Sequence, residues 1–230
     1  MKEQDSKTFN EASNLSFRFI AFFGPDGSGK TTQARLLVNY LQSHGTKTKK
    51  VWIRSPHTLA YLFSRFFIKI GFCRTVSSPL GKQTKLPAVH SSHQLRCFWS
   101  ILELVSVMPV ILFRVYMPLF LGYTLVAERY VVDTLVTIAY YTGDIGFLKS
   151  RAAKFLLRFI PKNTVFVGLT SDYSTIMKRR GHVAEHPDFI AFQKAGYEML
   201  GNSLDARSID TSKNSVMETS SQIIHLLEIN

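Results

Sequence analysis

The stretch Phe17-Arg18-Phe19-Ile20-Ala21-Phe22-Phe23-Gly24-Pro25-Asp26-Gly27-Ser28-Gly29-Lys30-Thr31 decides the fold. Its first seven residues form an apolar run interrupted only by Arg18, the pattern of a strand buried on both faces. A glycine-rich turn follows at once, reading G-x4-G-K-T from Gly24 to Thr31. Beyond it, Leu36, Leu37, Tyr40 and Leu41 recur at helical spacing, and Gly45 supplies a C-terminal stop. In a strand–loop–helix of this kind the glycines let backbone N–H groups turn inward around phosphate oxygens. The helix N-terminus adds the positive end of its dipole. Lys30 is then placed to reach the β- and γ-phosphates of a nucleoside triphosphate, and the Thr31 hydroxyl to ligate Mg²⁺. The expected ATP site comprises Gly24, Pro25, Asp26, Gly27, Ser28, Gly29, Lys30, Thr31 and Thr32.

Outward from this loop, strand and helix patterns alternate. Val51–Ile53, Tyr123–Ala127, Thr164–Leu169 and Ser208–Asp210 read as further strands. Helical patterns cover 59–72, 131–141, 147–159, 173–180, 189–204 and 216–227, while 75–90 reads as a loop rich in Ser, Pro, Gly and Lys. Such alternation predicts a mostly parallel five-stranded sheet with helices on both faces, a three-layer α/β P-loop NTPase fold. Residues 1–16 are polar and read as a flexible arm, and 17–230 as a single domain.

Residues 95–108 and 110–121 are strongly apolar, with Pro109 and Pro118 expected to break them into separate helices. Between Glu103 and Glu128 the only charge is Arg114, and about 20 apolar residues suffice to cross a bilayer. The two prolines, the central arginine and Gly122 favour buried core helices over a span.

Hydrophobic residues make up 46% of the chain and charged ones 19%, which fits a folded globular domain. The net charge of +12 is scattered, with small clusters at 47–50 and 178–180. No helix-turn-helix, zinc or RNP-type pattern accompanies it, so a phosphorylated small-molecule acceptor is expected in preference to polymeric nucleic acid. Membrane-surface contact is the lesser alternative, and a homodimer is allowed. Two unclustered cysteines, Cys73 and Cys97, suit a reducing cytoplasmic compartment.

Four further segments, in order, make the chain resemble the thymidylate kinase family. The loop F-F-G-P-D-G-S-G-K-T-T-Q is similar to that family's phosphate loop, and Glu128-Arg129-Tyr130 to its D-R-[YFH]. Leu169-Thr170-Ser171-Asp172 with Met177-Lys178-Arg179-Arg180-Gly181 resembles the strand and arginine-bearing lid (about 178–188), and Ile209-Asp210-Thr211-Ser212 resembles I-D-A-S. The resemblance implies an ATP- and Mg²⁺-dependent kinase acting on a nucleoside monophosphate, thymidylate-like. Lys30, Arg129, Arg179 and Arg180 would be catalytic, and Thr31 and Glu128 would hold the metal. Asp26, which the family uses to hold a sugar hydroxyl, would serve the acceptor together with Arg54, Arg96, Phe98 and Arg129. Family members carry a catalytic arginine either in the phosphate loop just after the aspartate or in the lid. That loop position is Gly27 here, which implies the lid-arginine version. The usual T-R-E-P after the second strand is replaced by Ile53-Arg54-Ser55-Pro56, and the base-stacking helix lacks the family spacing. Rival readings are a P-loop kinase for a non-nucleotide or lipid-linked acceptor, and a silent nucleotide-binding sensor.

Overall fold

The computed structural model describes residues 17–55, 57–77, 83–181 and 186–229. The expected arm, Pro56 and part of the expected lid lie outside the described residues. Five strands form one parallel sheet: β1 (Phe19–Phe23), β2 (Thr48–Trp52), β5 (Thr124–Arg129), β6 (Thr164–Thr170) and β7 (Arg207–Asp210), in the order β2-β5-β1-β6-β7. All five strands read from the sequence are present, and β5 runs two residues further than expected, to Arg129.

Successive residues of a strand face opposite sides of the sheet, so the apolar run of β1 feeds two cores. Phe19, Ala21 and Phe23 join Leu125 and Ala127 in one cluster. That cluster packs beneath α3 (His93–Ile111), α5 (Val131–Thr142), α6 (Arg151–Leu157) and α8 (Pro187–Ser203). Ile20 and Phe22 join Val126, Val167 and Leu169 in the other, beneath α1 (Lys30–Ser43) and α9 (Val216–Ile229). The remaining helices are α2 (Thr58–Lys69), α4 (Met117–Phe120) and α7 (Tyr173–Arg180).

Three expectations are corrected. The segment 75–90 is not simply a loop. Residues 75–77 and 83–87 belong to an antiparallel pair, β3 (Cys73–Ser77) with β4 (Gln83–Pro87), in the register Arg74↔Leu86 and Thr75↔Lys85, while 78–82 lie outside the described residues. β-Branched Thr75, Val76 and Thr84 favour extended backbone, and Pro87 is tolerated because it sits at the strand's end.

Pro109 likewise does not break its helix, because α3 runs through it to Ile111. A widened π-type turn at Leu112–Tyr116 follows, in which the Met117 N–H reaches the Leu112 carbonyl five residues back. The wider turn opens the helix where the Pro118 ring would meet the carbonyl of Arg114. The resulting helix, His93–Phe120, is long and apolar enough to cross a membrane by length and composition, but 44% of its apolar window is buried in the protein. Trp99, Glu103, Val107, Ile111 and Val115 face the core. The region expected as one helix at 147–159 is a short 3₁₀ turn (Ile145–Lys149) and then α6, whose N-terminus is capped by the Ser150 hydroxyl.

Candidate active site

The phosphate loop leaves β1 at the carboxyl edge of the sheet, where later strands have been added on both sides. Gly24 has φ +140°, and a Cβ there would lie 2.1 Å from the Leu169 carbonyl oxygen of neighbouring β6, so no other residue fits. The chain then turns over Pro25, whose carbonyl accepts from the Ser28 N–H at 3.2 Å, and enters α1 through Gly29 at φ +93°. Gly24, Pro25 and Ser28 form the back of this cradle.

In front of it lies a cleft of about 580 Å³, lined by Asp26, Gly27, Gly29, Lys30, Thr31 and Thr32 from the loop. Trp52, Arg54, Glu128, Arg129, Arg179 and Arg180 line it from other elements. Its size suits a nucleotide-sized ligand. The Lys30 ammonium donates to the carbonyls of Gly24 and Pro25 at 2.6 and 2.7 Å. Burial lowers its pKa from 10.5 to about 8; Asp133 and Glu128 oppose the shift, while Arg54 and Arg180 add to it.

β5 delivers two consecutive charged residues by an irregularity. Val51 of β2 pairs with Ala127, but Trp52 pairs with Arg129, which leaves Glu128 as the extra residue on β5. A bulge of this kind re-aims side chains, and here both Glu128 and Arg129 line the cleft. Glu128 Oε1 accepts from the Thr31 hydroxyl, and its Oε2 lies 3.0 Å from the Lys50 ammonium. Two hard oxygen donors meeting beside a phosphate loop fit a magnesium–nucleotide, whose remaining ligands come from phosphate and water.

Asp26 gathers cations from three directions. Arg129 Nη2 is ion-paired with Asp26 Oδ1, Arg54 Nη1 lies 3.2 Å from Oδ2, and Lys30 Nζ lies 3.9 Å from Oδ1. Arg129 also donates to Asp133 Oδ1, which accepts from the Tyr197 hydroxyl at 3.0 Å. The Arg129 and Asp133 side chains are 7% and 1% exposed. Arg129 is therefore held by a buried partner one helical turn into α5 and presented ready-made to the cleft.

The two arginines expected in a lid are placed differently. Arg179 donates to the Gly27 carbonyl at 3.2 Å, and to the Thr211 hydroxyl and carbonyl at 2.9 and 2.6 Å. It thereby ties α7 to the loop after β7. Arg180 lies across the phosphate loop: a Cβ on Gly27 would come within 2.9 Å of its Cγ. Lys178 is exposed.

Most of the residues expected from the sequence are thus brought together. Arg96 and Phe98 are not among them. They do not line the cleft, and Phe98 lies on α3 with its ring 5.8 Å from that of Phe63. Sequence reading gave no site role to Asp133, Lys50, Tyr197 or Thr211. Asp133 left a signal as the acid four residues after Arg129 across the strand–helix junction, and Thr211 lies in the Ile209-Asp210-Thr211-Ser212 segment.

No family model matches the sequence, and no curated protein does. Solved structures do. A thymidylate kinase from Candida albicans superposes with a TM-score of 0.57 at 20% identity, over 93% of this chain and 92% of its own. One from Ehrlichia chaffeensis gives 0.54 at 14% identity, over 91% and 97%. The YorR protein of Bacillus subtilis, solved in complex with phosphorylated GDP, gives 0.50 at 18% identity, over 92% and 96%. Across nearly its whole length, the chain has the three-layer α/β P-loop fold of the thymidylate kinases.

Proposed function

We propose that the chain is an ATP- and Mg²⁺-dependent kinase that transfers the γ-phosphoryl group to a nucleoside monophosphate, with a thymidylate-like acceptor. One observation carries this reading. Cations from four separate elements, Lys30, Arg54, Arg129 and Arg180, line one cleft in front of a phosphate loop. Arg54 and Arg129 stand on the Asp26 side of the cleft and Lys30 at the loop itself, so charge is provided for two phosphorylated ligands.

In this mechanism the loop N–H groups and Lys30 hold the donor phosphates. Thr31 and Glu128 would hold magnesium, which when bound neutralises charge on the β- and γ-oxygens. Arg54 grips the acceptor phosphate. Arg129, fixed by Asp133, lies between donor and acceptor sides and opposes the charge that spreads over the transferring group. Arg180 covers the loop, while Arg179 holds the lid helix in place. Asp26, ion-paired to both Arg54 and Arg129, aligns the two and is available to a sugar hydroxyl. The free thiols of Cys73 and Cys97 are compatible with a cytoplasmic setting.

The test is ADP release by the purified chain with ATP, with and without Mg²⁺, against nucleoside monophosphates, nucleosides and polyprenols. Mg²⁺-dependent turnover with a pyrimidine monophosphate is expected. Turnover confined to an unphosphorylated acceptor overturns the acceptor assignment. ATP binding without turnover on any acceptor overturns the kinase.

A further inference from the structure

α3 carries a buried acid that does not line the cleft. Glu103 is 0% exposed, and it shares one inward stripe with Trp99 and Ser106, at steps of four and three residues. Among the described residues, neither oxygen of its carboxyl has a well-formed hydrogen bond, and nor does the buried Ser55 hydroxyl. Buried polar groups are seldom left in this condition without a reason.

The stripe meets the chain between β2 and α2. The Ser55 hydroxyl and the His57 backbone are directed at the Glu103 carboxyl. One turn further along α3, Ser106 Oγ accepts from the Ala60 N–H at 3.0 Å, and the Ser106 carbonyl accepts from the Thr58 hydroxyl at 3.1 Å. Thr58 has φ +33°, a strained value for a β-branched residue that persists only where surrounding contacts hold it. At the other end, the Ile53 N–H donates to the Arg129 carbonyl of β5 at 3.1 Å. Arg54 lies between these two anchors, with its guanidinium 3.2 Å from Asp26 in the cleft. Its aim is therefore set by the sheet on one side and by α3 on the other.

We propose that Glu103 is a positioning residue for the acceptor side: as the uncharged acid it holds Ser55 and the His57 backbone, and so aims Arg54 at the acceptor phosphate. This rests on the reading of Arg54 as the grip on that phosphate. An uncharged carboxyl both donates and accepts, so it can serve Ser55 and the His57 N–H together. Once ionised it can still accept from both, but these contacts do not offset its burial. Water entering between α3 and the segment relieves the charge, and Arg54 loses its anchor. His57, lowered to about 4 by burial and by Arg114, stays neutral near pH 7. Tyr141 of α5 faces Glu103 and stays protonated, raised to about 12 by burial and by Glu103 against the opposing charges of Arg54 and Arg74. Glu103, raised to about 7 by burial, is the member of this cluster that changes charge near neutral pH.

The experiment is calorimetric binding of thymidine monophosphate, and of thymidine, to the full-length chain at pH 6 and pH 8. Glu103→Gln keeps the donor and the acceptor of the uncharged acid at both pH values. Between pH 6 and pH 8 the parent should lose about tenfold more affinity for the monophosphate than Glu103→Gln does, because about one carboxyl in ten stays neutral at pH 8. The comparison cancels the titrations of the ligand phosphate and of Lys30, which both proteins share. Glu103→Leu should weaken the monophosphate about tenfold at pH 6, leave thymidine unchanged, and add nothing to Arg54→Ala. Should Glu103→Leu fail to fold, the comparison with Glu103→Gln decides alone. Equal pH slopes in parent and Glu103→Gln overturn the proposal, as does equal weakening of monophosphate and nucleoside by Glu103→Leu. If Arg54→Ala weakens the monophosphate and Glu103→Leu does not, this inference falls by itself. No binding of the monophosphate by the parent, or none lost in Arg54→Ala, overturns the acceptor reading and this inference with it.

Discussion

The Thr31 hydroxyl, on the first turn of α1, donates to the Glu128 carboxylate on the bulge of β5. The two residues lie 97 positions apart in sequence, and the parallel pairing of β1 with β5 brings them together. Substituting Glu128→Gln keeps the size and one acceptor oxygen but removes the charge. A fall in kcat of about 10²-fold is expected, with the Mg²⁺ concentration for half-maximal rate shifted upward. Titrating the rate with Mg²⁺ in parent and variant checks this. An unchanged Mg²⁺ curve would leave Glu128 as an ion-pair partner of Lys50 and no more.

Lys30 links the site to pH. Its ammonium is charged below a pKa of about 8 and neutral above it, because burial in the cleft disfavours the charge. The phosphates of ATP require the charged form. The kcat/KM for ATP, which reports the free enzyme, should therefore be flat below pH 8. Above that it should fall about tenfold per pH unit. Lys30→Ala should fold normally and lose about 10²- to 10³-fold in kcat/KM at pH 7.

A second titration belongs to the core. Glu103 is 0% exposed, neither carboxylate oxygen has a well-formed hydrogen bond, and its pKa is raised from 4.5 to about 7. Burial is the main cause, and the Ser55 hydroxyl and His57 backbone offset only part of it. A raised acid pKa means that the folded state binds the proton more tightly than the unfolded one. Stability then falls as pH rises from about 4.5 to about 7, by an amount on the order of 3 kcal/mol. His57, lowered to about 4 by burial and by Arg114, acts in the opposite direction below pH 6.5. Glu103→Gln should abolish the loss between pH 5 and 8 and be more stable than the parent at pH 8. Thermal unfolding at both pH values tests it.

The sheet and the nucleotide side of the cleft were legible in the sequence because both rest on local patterns. Apolar runs mark β1, β5 and β6, the short apolar stretches at Val51–Ile53 and Ile209 mark the edge strands, and the loop's glycines, lysine and threonine lie within one short segment. The rest depends on contacts that no local pattern records. The β3–β4 pair is short and half-polar, so Thr75, Val76 and Thr84 are diluted among Ser, Pro and Lys. No local pattern shows that the helix runs through Pro109, nor that a π-type turn beginning three residues later, at Leu112, accommodates Pro118. Lys50 reaches Glu128 only through strand order, and Arg96 and Phe98 leave the cleft because α3 turns that face toward α2 and solvent.

Arg179 and Arg180, adjacent in sequence, should fail in different ways when removed. Arg179 spends its guanidinium on Thr211 and on the Gly27 carbonyl. Arg179→Ala should therefore loosen the junction of α7 with the loop after β7. A loss of about 1–3 kcal/mol in stability and a raised KM for ATP are expected.

Arg180, by contrast, lies over the loop above Gly27 and lines the cleft, where the proposed transfer would develop charge. Arg180→Ala should lower kcat by about 10²-fold or more with little change in either KM, the signature of an interaction made only in the transition state. Gly27→Ala offers an independent route to the same defect. The added Cβ would meet the Arg180 Cγ at 2.9 Å and the Ile176 Cγ2 at 3.2 Å, at a φ of +94° that L-residues rarely adopt. It should displace Arg180 and reduce kcat, and combining it with Arg180→Ala should add little, since both remove the same contact. Arg54→Ala differs from all three. It should mainly raise KM for a phosphorylated acceptor, because a ground-state phosphate grip serves substrate and transition state alike. If Arg54→Ala is silent while Arg180→Ala is crippled, phosphoryl transfer survives as the chemistry and the monophosphate acceptor does not.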